Sequence, residues 1–389
     1  MIKDILKDGF YYLISKSIVG ILSLLVIWIT LKVYGVEIYG QYSVLYVLTL
    51  TVSNLCFTWL AQSYIRMYKK DQKESYLTKI GFIYSSFSCL CILIIVSIYF
   101  DYNYFFCALL AISNGAYCVG RSVLQAQRNI RKFFYYDLIR ILIQLCLAYI
   151  LSFVLKGFQG LVYANAISCL VFIYAFRSFF GISKTQLYRH ELLRWVKFGA
   201  PVALWLTIAS GQLLLDRKII SVYLPSSDLG SYSAVYDSII RICALIVIPL
   251  SNACYPILVA NDSKNISYRK IGFYLSISSI IIALLMSLLV YITYNYATQY
   301  INLYLPRIDL CFLIFGVILW QLGMLYQKPL EMQNKTIAML INILFCLVLS
   351  GVINIYYVKS LGIGIFPITV SISALVYLIL TFLWIKNDL

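Results

Sequence analysis

Twelve apolar runs joined by short connections constrain this chain more than any other feature of its sequence. They cover roughly residues 10–33, 42–65, 77–100, 104–126, 134–155, 161–180, 195–224, 232–259, 271–294, 310–326, 337–358 and 363–385. A helix rises about 1.5 Å per residue, so runs of this length cross about 30 Å of hydrocarbon. In lipid every backbone N–H and C=O must be paired within the protein, and a helix does that along its own length. The expected class is therefore all-α integral membrane, with 12 transmembrane helices. The balance of 62% hydrophobic and 12% charged residues excludes an ordinary soluble domain. Lys3, Asp4, Lys7 and Asp8 precede the first run without a small-residue cleavage site, so that run reads as an uncleaved anchor.

The net charge of +16 is a matter of topology. Alternate connections carry 22 and 6 of the 31 Lys and Arg residues, and Lys16, Arg140 and Arg241 lie deeper in the runs. Positive connections stay in the cytoplasm, so both termini are expected there. The chain offers no soluble basic domain to bind nucleic acid.

The two halves repeat. A shift of 190 residues carries Gly9 onto Gly199, Gly40 onto Gly230, Tyr42 onto Tyr232, Ser43 onto Ser233 and Tyr46 onto Tyr236. A weaker echo links Gln127…Gly160 to Gln333…Gly364. The shift spans six runs, so the halves share one orientation, as in transporters whose site lies between parallel repeats. The expected organisation is two six-helix bundles around a central cavity: residues 1–180, a cytoplasmic linker at 181–194, and residues 195–389.

The repeat also isolates the unusual charges. Asp216, Arg217 and Lys218 fall on Val26, Ile27 and Trp28, while Asp237 and Arg241 fall on Val47 and Thr51. The first copy builds the same hairpin without ions, so the fold does not need them. An Arg, Lys or Asp at a helix centre costs about 2.5–3.5 kcal/mol to insert, and such groups usually face a wet cavity. Local explanations compete. Asp237 and Arg241 are four apart and can pair on one helix face, and Arg217 and Lys218 can snorkel to the outer interface. Lys16, Arg121, Asp137 and Arg140 sit within about two turns of cytoplasmic ends. Six cations against three carboxylates favour an anionic substrate. Arg241, Arg217, Lys218, Arg140, Arg121 and Lys16 are thus candidates to hold it. Asp216, Asp237 and Asp137 are candidates to tune those cations or to bind a coupling proton or cation.

Enzyme signals are absent. The single histidine, His190, lies in the linker, and there is no phosphate-binding loop of the G-x-x-x-x-G-K-[ST] type. Eleven cysteines lie mostly inside apolar runs, and the Cys89/Cys91 pair lacks the partners of a metal site. No catalytic residue, metal or cofactor is expected. Pro201, Pro249, Pro256, Pro329 and Pro367 mark kinks, either hinges or static packing features. Many of the 35 tyrosines suit the membrane interface, among them Tyr99, Tyr102 and Tyr104.

Several stretches resemble a known family. They are LKVYGVEIYGQYS at 31–43, QAQRNIRKFF at 125–134, KFGAP at 197–201, DRKIIS at 216–221 and GSYS at 230–233. Together they are similar to the Wzx-type O-antigen and polysaccharide flippases of the multidrug/oligosaccharidyl-lipid/polysaccharide exporter superfamily. The likeness covers nearly the whole chain and is weakest over the ninth and tenth runs. It implies a flippase in the bacterial inner membrane. Its substrate would be an undecaprenyl-diphosphate-linked oligosaccharide, a repeat unit of lipopolysaccharide O-antigen or a related polymer, moved to the outer leaflet by alternating access. Partners implied are that lipid-linked substrate, membrane lipids, a polysaccharide polymerase and a chain-length regulator. The alternatives are a drug or small-molecule exporter of the same superfamily, or an integral-membrane polysaccharide polymerase or ligase. Short outer connections leave the last no room for the large catalytic loop such enzymes carry.

Overall fold

Helix is the only regular structure among the residues that the computed structural model describes, namely 2–68, 72–100, 102–127, 129–177, 189–261, 306–327, 330 and 335–386. We label the helices α1 (Ile2–Tyr34), α2 (Val36–Met67), α3 (Gln72–Phe100), α4 (Tyr104–Ala126), α5 (Ile130–Ser152), α6 (Gln159–Leu170), the one-turn α7 (Ile173–Phe176), α8 (Arg189–Tyr223) and α9 (Ser226–Asn261). Then come α10 (Arg307–Tyr326), α11 (Thr336–Leu361) and α12 (Ile365–Lys386). With α6 and α7 taken as one segment, these match eleven of the twelve expected spans. The ninth, residues 271–294, lies outside the described residues, as do residues 181–188 of the expected linker.

The membrane character shows in which side of each helix is apolar. On α11, Ile337, Ile341, Leu344, Val348, Val352 and Ile355 are exposed, whereas Asn342, Cys346, Ser350 and Asn354 are buried. A water-soluble helix has the opposite arrangement. Lipid replaces water as the outer solvent, and small and polar residues face neighbouring helices. The chain is an all-α, multi-pass membrane protein.

The 190-residue repeat is visible in the helix bounds. Shifting the start of α2 at Val36 gives Ser226, the start of α9. Both second helices begin six residues before the expected positions. In the first copy Gly35, at φ 86°, turns the chain in one residue, so VEIYG is already helical. In the second, Pro225 takes that place, and its carbonyl accepts from the Asp228 and Leu229 N–H groups. Glu37 and Asp228 then sit in the first turns, where the helix dipole favours a carboxylate.

The chain groups into two compact units. Val33–Leu215 form one; Met1–Lys32 and Asp216–Leu389 form the other. The bounds differ from the expected 1–180 and 195–389: α1 groups with C-terminal residues, and 195–215 with N-terminal ones. Close packing in the first unit explains the second point. A Cβ at Gly199 would lie 2.2 Å from the Trp59 carbonyl oxygen, so only glycine lets α8 approach α2 this closely. Ser63 adds a hydrogen bond to the Trp195 carbonyl at 2.7 Å. This is the physical content of the KFGAP stretch. The core of the same unit gathers Phe57, Leu60, Tyr64, Leu93, Val119 and Phe176.

Candidate functional site

Asp216, Arg217 and Lys218 are consecutive on α8, so their side chains leave the axis about 100° apart. They meet different neighbours. Arg217 is only 1% exposed, and its Nη2 donates to Asp237 Oδ1 on α9 at 2.5 Å. Asp216, also 1% exposed, accepts from Asn354 Nδ2 on α11 at 2.8 Å. The Thr369 hydroxyl on α12 donates to Asn354 Oδ1 at 2.7 Å and lies 2.9 Å from the Phe366 carbonyl. The result is a polar chain across three helices that ends on a buried carboxylate. Tyr232 stands beside Asp216 and packs on Phe366. Lys218 is half-buried, and its carbonyl accepts from the Ser221 hydroxyl.

Arg241 reaches α1. Its Nη1 donates to the Ser23 carbonyl at 2.6 Å. Asp237 therefore takes a guanidinium twenty residues earlier, on another helix, rather than resting on its i+4 neighbour alone. A carbonyl acceptor leaves the charge of Arg241 uncompensated by that bond, while the Arg217–Asp237 pair is charge-neutral. Within this unit Arg241 is the stronger candidate to meet an anion, and Asp216 the stronger candidate to take a proton or small cation. Asp216 offers the hard carboxylate oxygens that a small cation prefers, while Asn354 turns its Nδ2 toward Asp216 and its Oδ1 toward Thr369.

The unit Val33–Leu215 holds a second cluster. Arg121 on α4 donates from Nη1 to the Tyr117 hydroxyl at 3.2 Å. Arg140 on α5 lies with Cζ 4.9 Å from the centre of the same ring and donates to Gln144 at 3.3 Å. Asp137, 2% exposed, is 4.0 Å from Arg140 Nε. Next to these, Asn165 donates to the Tyr42 hydroxyl at 2.7 Å, and Cys169 donates to Asn165 Oδ1 at 3.3 Å. Seven of the nine sequence candidates thus sort into two clusters, Asp216, Arg217, Asp237 and Arg241 in one and Arg121, Asp137 and Arg140 in the other. Lys16 lies on α1 and His190 on α8, at positions where only the backbone is described.

Sequence reasoning missed Asn354, Thr369, Tyr117, Gln144 and Asn165. A signal was present: Asn354, Asn342, Asn114 and Asn165 are amides inside apolar runs, and such groups face the protein interior. Cys89 is buried and Cys91 exposed, so the C-x-C pair does not converge. Among the described residues no three His, Cys, Asp or Glu side chains group to hold a metal.

Solved structures settle the architecture. A lipid II flippase MurJ in an inward closed conformation superposes with TM-score 0.65 at 13% identity, covering 96% of this chain and 87% of that one. A multidrug resistance MATE family transporter of the MOP superfamily, in an outward-facing conformation, gives TM-score 0.63 at 14% identity, covering 98% and 95%. The chain has the fold of the MATE and MurJ transporters. A MATE in the bent conformation gives 0.60 at 14% identity, covering 99% and 94%. No protein-family model matches the sequence, and no curated protein matches it. The likeness to MATE and MurJ is therefore one of fold, carried by helix order over nearly the whole of each chain.

Proposed function

We propose that this protein is a flippase for an undecaprenyl-diphosphate-linked oligosaccharide, an O-antigen or related surface-polysaccharide repeat unit. It moves that unit from the cytoplasmic to the outer leaflet of a bacterial inner membrane by alternating access, with both termini cytoplasmic. It acts as a transporter rather than an enzyme. The observation that carries the reading is a set of ions that the first repeat does without, the buried Asp216 and Arg217 with the half-buried Asp237 and Arg241, within a fold shared with a lipid II flippase. A diphosphate cannot cross hydrocarbon unpaired, since an isolated ion pays a large desolvation penalty, and guanidinium groups hold phosphate through paired donors. Arg241 and the other cations serve the anionic cargo. Asp216, with Asn354 and Thr369, serves a coupling proton or cation. Two six-span lobes, a polysaccharide polymerase and a chain-length regulator complete the proposal.

The experiment deletes the gene in its host and follows surface polysaccharide and the leaflet position of the lipid-linked unit. Loss of surface glycan, with lipid-linked units held on the cytoplasmic side and rescue by wild type but not by Arg241→Ala, supports the reading. Rescue by Arg241→Ala at normal protein level removes the role of that residue. The second reading, a small-molecule exporter, is favoured by the MATE likeness over nearly the full chain. It replaces the first if glycan is unchanged and resistance to cationic drugs falls.

A further inference from the structure

The helix α2 is enclosed by protein. Among the described residues none from Tyr42 to Ile65 is exposed, whereas α11 turns Ile341, Leu344 and Val348 outward to lipid. Tyr42, Tyr46, Leu50 and Asn54 are nonetheless only half-buried. They are spaced four apart, so they follow one side of the helix over about three turns. Uncovered tyrosine and amide groups on an enclosed helix border a wet space, since lipid offers them no hydrogen bond.

The two tyrosines are held in place. Their rings stack with centroids 5.8 Å apart and planes 25° from parallel, and Tyr39 packs on Tyr42 at 6.4 Å. Asn165 on α6, itself 4% exposed, donates from Nδ2 to the Tyr42 hydroxyl at 2.7 Å, and its Oδ1 accepts from the Cys169 thiol. Asn54 donates from Nδ2 to the Ser210 hydroxyl on α8 at 3.2 Å, which leaves Asn54 Oδ1 without a donor among the described residues.

The second repeat holds the same pair sealed. Tyr232 and Tyr236 stand at the positions equivalent to Tyr42 and Tyr46, with rings 5.7 Å apart. They are 2% and 6% exposed, and Tyr232 packs on Phe366. Asn54 falls on Ala244. Both copies make the tyrosine stack, but only the first leaves it uncovered and sets an amide two turns beyond it. Packing therefore accounts for the stack and not for its opening.

We infer that Tyr42, Tyr46 and Asn54 form a carbohydrate-binding face on α2. It takes the pyranose rings of the lipid-linked oligosaccharide. The C–H face of a sugar lies against the electron-rich face of a tyrosine ring, and Asn54 Oδ1 accepts from a sugar hydroxyl. Aromatic surface with a few fixed polar groups is the usual make-up of a small-molecule site. The inference rests on the flippase reading for the identity of the cargo, and it concerns the sugars of that cargo rather than its diphosphate.

The test titrates the full-length protein in lipid nanodiscs with undecaprenyl-diphosphate-linked glycans extracted from host membranes, and with undecaprenyl diphosphate as the sugar-free arm. Wild type is expected to bind the glycosylated lipid more tightly. Tyr42→Leu and Tyr46→Leu are each expected to lower that preference about three- to tenfold, the usual effect of losing one aromatic contact, with undecaprenyl diphosphate affinity unchanged. Tyr46→Phe keeps the ring and the preference, and Asn54→Ala lowers it about threefold or more. Equal affinity of wild type for the two lipids overturns the face, as does a preference undiminished in both leucine variants. An equal loss of both lipids in the leucine variants overturns it too, since that marks a structural role. If a leucine variant does not fold, an undiminished preference in Asn54→Ala overturns the face equally. Binding and transport fail separately. A lowered preference in the variants, with surface glycan and its lipid carrier undisturbed in cells lacking the gene, ends the flippase reading and leaves the face. Surface glycan lost without the gene and restored by the leucine variants, with an undiminished preference, ends the face and leaves the flippase.

Discussion

Arg217 on α8 pairs with Asp237 on α9, and at the two equivalent positions of the first repeat the chain has Ile27 and Val47. The hairpin sequence thus occurs twice, with an ion pair in the second copy and aliphatic residues at the equivalent positions of the first. Both aliphatic residues are buried, Ile27 and Val47 alike at 3% exposure. The ion pair therefore stands where the first repeat has two buried aliphatic residues.

Removing one partner is expected to be worse than removing both. Arg217→Ala leaves Asp237 without its guanidinium and should destabilise the protein by about 3–5 kcal/mol, whereas a matched apolar replacement is near neutral. The double variant Arg217→Ile, Asp237→Val copies the first repeat and should recover the melting temperature in detergent without recovering transport. A double variant that also transports would make the pair architectural.

Asp216→Asn is expected to keep the fold and lose transport. The amide has the same shape and can still bond Asn354, so the melting temperature should move by no more than about 1 kcal/mol equivalent. The charge that would attract a proton or cation is gone. Surface glycan in complemented cells, read beside protein level, checks this.

Gly199→Ala is expected to reduce stability by about 1–3 kcal/mol through overpacking. The new methyl meets the Trp59 carbonyl oxygen, which is backbone and cannot rotate aside. A lower melting temperature and a lower membrane level are the readouts. An unchanged melting temperature would show that α8 and α2 separate at no cost.

Orientation is open to a direct measurement. Alkaline phosphatase fused after Gly157, beside Lys156, should be active outside the cytoplasm, and fused after Gln127, near Arg131 and Lys132, should be inactive. The reverse pattern would place both termini outside.

How the charges divide was only half legible beforehand. Their existence and cost were plain, because an ion in an apolar run stands out in any order of reading. Their partners were not. Asp237 and Arg241 are one turn apart and invite a local pair, yet Asp237 takes Arg217 and Arg241 takes the Ser23 carbonyl. Asp216 reaches Asn354, which is 138 residues away.

Alone, the sequence determined the class, the span pattern and the repeat, because lipid imposes a length and an internal hydrogen-bonding rule on every crossing segment. It also determined the hairpin equivalence, since α2 and α9 begin at positions 190 residues apart. Only the tertiary structure decided which ions neutralise one another and which keep charge to spare. Periodicity reports the face of a helix on which a side chain lies. It does not report which helix that face meets, so neither the Asp216–Asn354–Thr369 chain, which joins residues 138 apart, nor the meeting of Arg140 with Tyr117 on the preceding helix exists until those helices are packed together.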